Sequence, residues 1–559
     1  MPPDLPAATT PAAVILACDA RAVRPLYADD QIWELRIREA GPGVLAVQTT
    51  FGLRARTMRI FPRFLSGSAV VDDPAQFSSP PRAVWIGTSY CALEYAPFPG
   101  IDVTGEYWVP ESRVLAGRIR ISNHREAAST CRLELAAQLV PLEGQAMSAA
   151  HAQVSATLRG QTGSLYPVLF LTGGPDTGSG LYPSLILDFK LPPGDSRQVG
   201  WALASLDDAN RSSELARQAT ARPWPAEIAR LKMRDASDQV VIDTGDPAWD
   251  AVLAHSQRAA RRLLHGPGSG LPETSFVLAR IPDQGYSRRG DGSEYNYLWS
   301  GQTALEACML ASSLLPGAAD VAAGFLRNFL AVQAADGSID WKPGLAGQRG
   351  KLLAQPVLAE LAWRIFRANG DTAFLAGVYD PLMRFLAAWL SPEHDRDADG
   401  VPEWDHLVQN GFEDSPLFNR WLPGAQGMDI QLVETPGLAS LLYNECRSLE
   451  RIAEQLGKTE DLAQLEETAA RLAAAVQSTW DEERGTFHHR DRDSHLTQTG
   501  EAIYRGQGPG DAQLDLHFDA RRRLVIRMRI GTETTRPVHI RILGEDAGGK
   551  EIEEAFTIR

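Results

Sequence analysis

Four carboxylates lie within a span of twelve residues in the middle of the chain: Glu403, Asp405, Glu413 and Asp414. Hydrolysis of a glycosidic bond needs one carboxylic acid that protonates the leaving oxygen. It also needs a second carboxylate on the other face of the sugar, which activates water or attacks. Acidic runs alone are typical of solvated loops. Here Trp404 and other apolar residues separate the acids, which favours a functional loop.

Tryptophans are concentrated in the same part of the chain, where six of the thirteen lie between residues 299 and 421. Two of these six fall in helical patterns and are interpreted as core residues. The other four lie at helix starts or in loops: Trp299, Trp341, Trp404 and Trp421. Because an indole ring stacks on the C–H face of a pyranose, these four are candidates for sugar contact. The alternative is that they plug loops between helices.

A second acidic motif precedes the carboxylate loop. Asp395, Asp397 and Asp399, followed by Gly400, match the first half of an EF-hand loop, in which alternate carboxylates converge on one cation. The position of the bidentate glutamate holds His406 instead. The motif is interpreted either as a structural Ca²⁺ site or as an acidic turn, and the chemistry considered above requires no cofactor.

Composition narrows the classes of partner. The chain has 559 residues, of which 44% are hydrophobic and 22% charged, as in ordinary globular proteins of several domains. The formal net charge of −15 argues against nucleic acids and anionic lipid surfaces, since both require basic patches. Neutral partners such as carbohydrates fit this charge, and the sequence does not indicate an oligomeric state.

The cysteines and the N-terminus bear on location. The five cysteines are scattered and lack paired spacing, which indicates neither a disulfide framework nor a zinc site and is typical of a reducing compartment. No basic segment precedes a long apolar run as in a signal peptide, and no uncharged apolar stretch reaches about 18 residues. A cytoplasmic location without membrane association is therefore expected.

Hydrophobic periodicity divides the chain into three zones, predicted as domains at residues 1–225, 240–490 and 505–559. Short alternating runs in the first zone predict an antiparallel β-sandwich. The second zone predicts seven helices, at 249–264, 303–315, 318–334, 356–368, 372–390, 430–456 and 461–480. The third zone predicts a small β module with strands at 512–518, 523–530, 537–543 and 551–557. The long connection 391–429, which carries the acids, is typical of a functional loop.

Several short motifs follow one another in the helical zone. They are Gln355-Pro356, Asn369-Gly370-Asp371, Tyr379-Asp380-Pro381-Leu382, the run from Asp399 to Trp404, the run from Arg447 to Gly457, and Trp480-Asp481. Their order and spacing resemble the (α/α)6-barrel glycosidases. The similarity is greatest to glycoside hydrolase family 63 and the mannosylglycerate hydrolase-like group, often labelled glycogen debranching enzyme-like. It covers about residues 246–489 and implies a multidomain α+β fold, with a partial (α/α)6 toroid behind the β-sandwich.

The resemblance also implies roles for individual residues. In these families the general acid lies in a Gly-aromatic-Asp-x-Ser motif, which residues 411–415 match with Glu413 at the acid position and Asp414 as the alternative. The residues that match stretches around the sugar subsites are Trp299, Asp340, Trp341, Gln355, Trp404, Gln409 and Asn410. Ser300 stands where the families have a sugar-binding aspartate, so the identity of the sugar stays open.

The general base of these families, a glutamate near the last barrel helices, has no match in this chain. Glu434 and Glu501 are interpreted as structural. A complete toroid needs twelve helices, so we expect the chain to be truncated or to need another segment. The resemblance implies inverting hydrolysis of an α-linked glucoside. An α-1,6-glucosidase of the debranching type and a catalytically inactive carbohydrate-binding or structural protein are the alternatives.

Overall fold

The computed structural model describes most of the chain. The described residues are 10–18, 26, 28–38, 45–67, 69–152, 155–178, 180–237, 239–268, 270–277, 281–290, 294, 301–345, 350–411, 415–418, 428–497, 501–519, 522–528 and 537–558. The chain divides into two compact units, Met1–His489 and Arg490–Arg559.

The first unit begins with two antiparallel sheets of eight strands each. The strands are β1 Ala13–Leu16, β2 Trp33–Arg36, β3 Val47–Thr49, β4 Ala55–Ser66, β5 Ala69–Val71, β6 Ser79–Ile86, β7 Tyr90–Phe98, β8 Ile101–Glu111, β9 Val114–Asn123, β10 Ser129–Pro141, β11 Gly144–Ala152, β12 Ser155–Thr162, β13 Tyr166–Leu171, β14 Asp176–Gly178, β15 Ser184–Leu191 and β16 Ser196–Leu206. One sheet has the order β1-β2-β3-β4-β10-β15-β14, with β5 paired to β4, and the other β11-β12-β13-β16-β9-β8-β7-β6.

Alternation of side chains explains how the two sheets pack. On β10, Leu133 and Leu135 point into the shared core, while Glu134 between them points outward and pairs with Arg63 at 2.7 Å. Apolar residues from both sheets fill one continuous core, as expected for strands with one buried face. The predicted β-sandwich is confirmed.

After the sandwich come two helices that the sequence pattern did not indicate: α1 Ala209–Thr220 and α2 Trp224–Ser237. They cover the outer face of the second sheet through small residues and one large anchor. Trp224 packs edge-on against Trp108 of β8 with ring centroids 5.4 Å apart, and Ala216 and Ala219 are buried in the same cluster. The helices therefore shield this part of the outer sheet face from solvent.

The helical region of the first unit contains the remaining helices of the described chain. They are α3 Pro247–Arg262, α4 Ala304–Leu314, α5 Ala319–Leu330, α6 Leu358–Asn369, α7 Thr372–Trp389, α8 Pro436–Leu456 and α9 Leu462–Ser478. Five two-residue strands accompany them: β17 Leu264–His265, β18 Ser275–Phe276, β19 Val433–Glu434, β20 Trp480–Asp481 and β21 Thr486–Phe487. Each helix from α4 to α9 packs on the next, and α4 contacts α6, which contacts α8. Alternate helices therefore form an inner row, as in part of an α/α toroid.

The seven predicted helices are all present, and local signals explain their ends. Thr303 and Glu306 form a reciprocal capping box at the start of α4, and Gly370 ends α6 in the left-handed conformation with φ of 67°. The sixth helix starts later than predicted. It begins at Pro436 behind the N-cap Thr435, and residues 430–434 form a 3₁₀ turn and a short strand instead.

The second unit contains three strands within its described residues: β22 Arg490–Asp491, β23 Val538–Glu545 and β24 Glu551–Ile558. The last two form an antiparallel hairpin that pairs Val538 with Ile558 and Glu545 with Glu551. The predicted strands at 512–518 and 523–530 are wrong for the residues described there, which have no regular structure and exposed side chains. Alternation alone does not form a strand, because a strand needs a partner edge and a face to bury.

Candidate active site

Three loops at one end of the helical region run side by side. The segment after α5 forms an isolated antiparallel β-bridge between its Gly344 and Gly301, which precedes α4. On its other side the same segment forms a bridge from Asp340 to Leu353, which precedes α6. The backbone N–H of Trp341 donates to the carbonyl of Leu352 at 2.8 Å. Three of the predicted sugar-binding residues, Asp340, Trp341 and Gln355, therefore lie on neighbouring segments.

Asp340 and Trp341 form a compact polar and aromatic cluster with Lys342. Asp340 is 3% exposed, and its Oδ1 accepts the backbone N–H of Lys342 at 2.9 Å. Lys342 is also buried, with its Nζ 5.7 Å from the centroid of the Trp341 ring. A Cβ on Gly350 would lie 3.0 Å from the Trp341 indole, so this position accommodates only glycine without a shift. The sequence did not single out Lys342, because a lone lysine beside tryptophan carries no motif.

Gln355 and Trp404 hold the framework behind these loops. The Gln355 Oε1 accepts the backbone N–H of Ala304 in the first turn of α4 at 3.2 Å. Trp404 is 3% exposed and packs edge-on against Trp389, whose indole N–H donates to the carbonyl of Ala354 at 3.0 Å. Both predicted residues therefore support the site segments through buried contacts.

Gln409 fastens the acidic loop to the segment before α6. Its Nε2 donates to the carbonyl of Leu353 at 3.1 Å, and its Oε1 accepts the backbone N–H groups of Asp405 and His406 at 3.0 and 2.8 Å. Gln409 and the adjacent Asn410 lie in a 3₁₀ turn, Leu407–Asn410, which ends at Gly411 with φ of 75°. A Cβ on Gly411 would lie 3.0 Å from the Leu305 side chain, so the loop passes directly beside α4.

Two of the four clustered acids are engaged within the loop itself. Arg396 pairs through Nη1 with Glu403 Oε2 at 3.2 Å and through Nη2 with Asp405 Oδ1 at 2.6 Å. His394 Nδ1 lies 3.0 Å from the same Asp405 oxygen. The sequence pattern did not identify His394 or Arg396, since the pairing depends on how the loop folds back.

The environment separates the acidities of these two carboxyl groups. Burial raises the pKa of Glu403 to about 7, although the backbone N–H and guanidinium of Arg396 oppose this shift. Burial would also raise the pKa of Asp405. There, the hydrogen bonds and charges of His394 and Arg396 outweigh burial and hold the pKa below its usual range. The Glu403 side chain is fully buried, so it contacts other groups of the loop and not solvent.

The predicted metal residues divide into two groups. Asp395 turns inward, where its oxygens accept the backbone N–H groups of Asp399 at 3.2 Å and Gly400 at 2.9 Å. Asp397 and Asp399 instead lie with Glu434, one carboxylate oxygen of each being within 4.8 Å of the others. Carboxylate oxygens are the ligands that Ca²⁺ prefers, so these three residues suit a hard cation. Glu434 carries no local signal, because it lies on a different segment.

Four predicted site residues fall outside the described residues: Trp299, Glu413, Asp414 and Trp421. The described residues stop at Gly411, two residues before the predicted general acid Glu413, and resume at Ser415. Their roles stay predictions. Within the described chain, no helix has both the length and the apolar character needed to cross a membrane. All five cysteines are buried thiols.

Comparison with known families supports the resemblance seen in the motifs. Residues 293–509 match the model of the mannosylglycerate hydrolase MGH1-like glycoside hydrolase domain, and the predicted family resemblance is confirmed over this part of the chain. No curated protein matches the sequence. The matched region contains all three site loops and the acidic loop.

Solved structures also match the chain at low sequence identity. One is described as a kojibiose phosphorylase from the human microbiome, with 10% identity and a TM-score of 0.40 over 85% of this chain and 65% of that chain. The other is a bacterial glucoamylase complexed with acarbose, with 10% identity and a TM-score of 0.45 over 85% of this chain and 70% of that chain. The chain thus spans less than two thirds of the length of the kojibiose phosphorylase.

Proposed function

We propose that this chain carries the acid-bearing part of a glycoside hydrolase that acts on an α-linked glucoside with inversion of configuration. The observation that carries the proposal is the match of residues 293–509 to the MGH1-like glycoside hydrolase domain. Glu413 is proposed as the general acid that protonates the leaving oxygen. The general base is not assigned to a residue of this chain.

The ion pairs of the acidic loop support this choice of acid. Glu403 and Asp405 are both bound to Arg396, so neither is available to protonate a substrate. Of the four clustered carboxylates, Glu413 and Asp414 remain. The engagement of the two upstream acids with Arg396 is what supports the choice of Glu413 or Asp414.

The site loops also support a neutral sugar as substrate. Trp341 offers an aromatic ring for the C–H face of a pyranose, and Asp340 and Lys342 flank it with hydrogen-bonding groups. We propose Asp340, Trp341 and Asn410 as sugar contacts, together with Trp299 and Trp421. Gln355, Trp404 and Gln409 are proposed to position these contacts, because their side chains bind or pack against neighbouring framework segments.

The test is turnover of methyl α-glucoside, whose leaving oxygen must be protonated, with the anomer of the released glucose followed by NMR. Inversion gives the β-anomer first. Glu413→Gln should lower kcat by at least ~100-fold, the usual contribution of a general acid, while sugar binding by calorimetry persists. Asp414→Asn is the matched control and should retain most of the activity.

Other outcomes separate the alternatives. Full activity of Glu413→Gln together with loss in Asp414→Asn would transfer the acid role to Asp414. Preference for isomaltose over maltose would identify a debranching-type α-1,6-glucosidase. Absence of both turnover and sugar binding in the wild-type chain would contradict the proposal, whereas sugar binding without turnover would indicate a binding protein or a chain that lacks its general base.

A further inference from the structure

Helix α3 joins the β-sandwich to the helical region and presents a row of basic residues to the sandwich. Ala251 of α3 is buried in the sandwich core, and Ala260 is buried in the helical core. His255, Arg258 and Arg262 follow Ala251 at spacings that place them on the same helix face. We call these three residues the α3 basic face.

Four nitrogen atoms of the α3 basic face are buried without an acceptor among the described residues. Arg258 is 1% exposed, and its guanidinium carbon lies 4.1 Å from the centroid of the Trp85 ring. Its Nε donates to Gln239 Oε1 at 3.3 Å. The Nη2 of Arg258, the Nε and Nη2 of Arg262 and the Nδ1 of His255 are buried and have no hydrogen-bond partner among the residues that the structure describes.

The carboxylate of Asp235, which faces these groups, is already bound to other partners. Asp235 of α2 is 2% exposed, and its carboxylate accepts the backbone N–H of Thr88 at 3.1 Å and the Thr88 hydroxyl at 3.0 Å. It also pairs with Arg234 at 3.1 Å. One carboxylate therefore faces three guanidinium groups.

Two further groups beside the α3 basic face, Cys91 and Lys232, add no negative charge. Burial raises the pKa of the Cys91 thiol to about 12, so this residue is neutral. Lys232 adds a cation, with its Nζ 5.0 Å from the Trp85 ring centroid. Burial, together with Arg262 and Arg258, lowers the pKa of His255 to about 4, which leaves a neutral ring that can donate from Nδ1. The surroundings of Asp235, Arg258 and Arg262 thus have an excess of positive charge.

Buried guanidinium groups that outnumber the carboxylates facing them destabilise a fold, because the cost of removing them from water is not fully offset. We propose that the α3 basic face binds a phosphate-class oxyanion, either free or as the phosphoryl group of a small metabolite. The planar forks of two arginines match the oxygens of such an anion, and the imidazole supplies a further donor. His255 and Arg262 are only partly buried as residues, so they are the members of the α3 basic face nearest to solvent.

The bound anion would strengthen the packing of α3 on the sandwich. This role is separate from sugar hydrolysis, since none of the proposed sugar-binding residues belongs to the α3 basic face. Its failure and the failure of the proposed function are therefore distinguishable.

The experiment measures the melting temperature of the full chain in 0–10 mM inorganic phosphate, with sodium chloride keeping the ionic strength constant. The melting temperature should rise with the logarithm of phosphate concentration above Kd, by roughly 2 °C for each tenfold increase. Parallel titrations with sulfate and with a hexose phosphate distinguish a simple oxyanion from a phosphoryl group carried on a sugar.

Two variants make the test specific. Arg258→Met and Arg262→Met remove the charge but keep most of the volume, and they should abolish the phosphate response without unfolding the protein. Arg211→Met on α1, an exposed arginine paired with Asp207 at 3.0 Å, is the control and should respond like wild type. An equal phosphate response in wild type and both methionine variants, or no response beyond that of chloride, would overturn the proposal.

Discussion

The carboxylate of Glu445 on α8 accepts the backbone N–H of Ala359 in the first turn of α6 at 2.7 Å. Its second oxygen lies 3.4 Å from the N–H of Glu360. Val357, the N-cap of α6, makes no side-chain cap hydrogen bond. The helix start is therefore capped from the neighbouring inner helix, and one buried side chain fixes the spacing of α6 and α8.

Removal of this cap should destabilise the first unit. Glu445→Ala leaves buried N–H groups without an acceptor and creates a cavity, so we expect the free energy of unfolding to fall by about 2–4 kcal/mol. Glu445→Gln keeps an acceptor for Ala359 and should cost less. Urea denaturation followed by far-ultraviolet circular dichroism measures both. Glu454→Ala, at an exposed position of the same helix, should leave the midpoint unchanged.

The buried Glu403 predicts a pH dependence of stability. Its pKa is about 7 in the folded protein and 4.5 as the ordinary value, so the native state binds more protons than the unfolded state between these limits. The contribution to stability is complete below pH 4.5 and is lost as the pH rises through 7. The full change is on the order of 3 kcal/mol.

Glu403→Gln isolates this contribution. The amide still accepts from Arg396 but does not titrate, so the slope of stability against pH between 5 and 8 should be flatter than in wild type. Chemical denaturation at several pH values measures both slopes. Identical slopes would show that the carboxyl of Glu403 is not protonated in this range.

Calcium is expected to stabilise the first unit through Asp397, Asp399 and Glu434. Three carboxylate oxygens within 4.8 Å of one another repel, and a cation that binds only the native state raises its stability. One millimolar Ca²⁺ added after EDTA treatment should raise the melting temperature. Asp397→Asn should remove most of this response. Asp395→Asn should lower the melting temperature with or without Ca²⁺, because Asp395 binds the loop backbone. No shift with Ca²⁺ would favour the acidic-turn interpretation.

The parts of the fold that the sequence predicts are those with local signals. Thr303, Asp371 and Gly457 mark helix ends through capping and left-handed conformations, so the helix bounds agree closely. Helix α1 does have a capping residue, Asp208, but its buried face consists of small residues such as Ala216 and Ala219, which give a weak hydrophobic pattern. The place of α1 and α2 depends on an outer sheet face that exists only after folding.

The candidate site also contains some features that the sequence predicts and others that depend on how the chain folds. Asp340 and Trp341 could be found because they match family motifs. The pairing of Arg396 with Glu403 and Asp405, and the approach of Glu434 to Asp397, come from the return of a long loop on itself and from a distant segment. Linear spacing cannot show that an acid is engaged in an internal ion pair, so spacing alone does not separate Glu403 and Asp405 from Glu413 and Asp414.

The terminal hairpin of β23 and β24 leads to the last prediction. One of its faces carries Ile540 opposite Phe556, with Val538 opposite Ile558 beside them, and Phe556 and Ile558 are 46% and 43% exposed. The other face carries polar pairs such as Arg541 with Glu553 at 2.8 Å. An exposed apolar face of a two-stranded hairpin promotes association. We therefore expect the full chain to bind a hydrophobic dye and to self-associate at high concentration. The double variant Ile540→Thr and Phe556→Thr should reduce both dye fluorescence and light scattering, because threonine keeps strand propensity while it removes apolar surface.

The control is His539→Ser on the polar face, which should leave both signals unchanged. Equal dye binding by wild type and the double variant would place the apolar surface elsewhere in the chain.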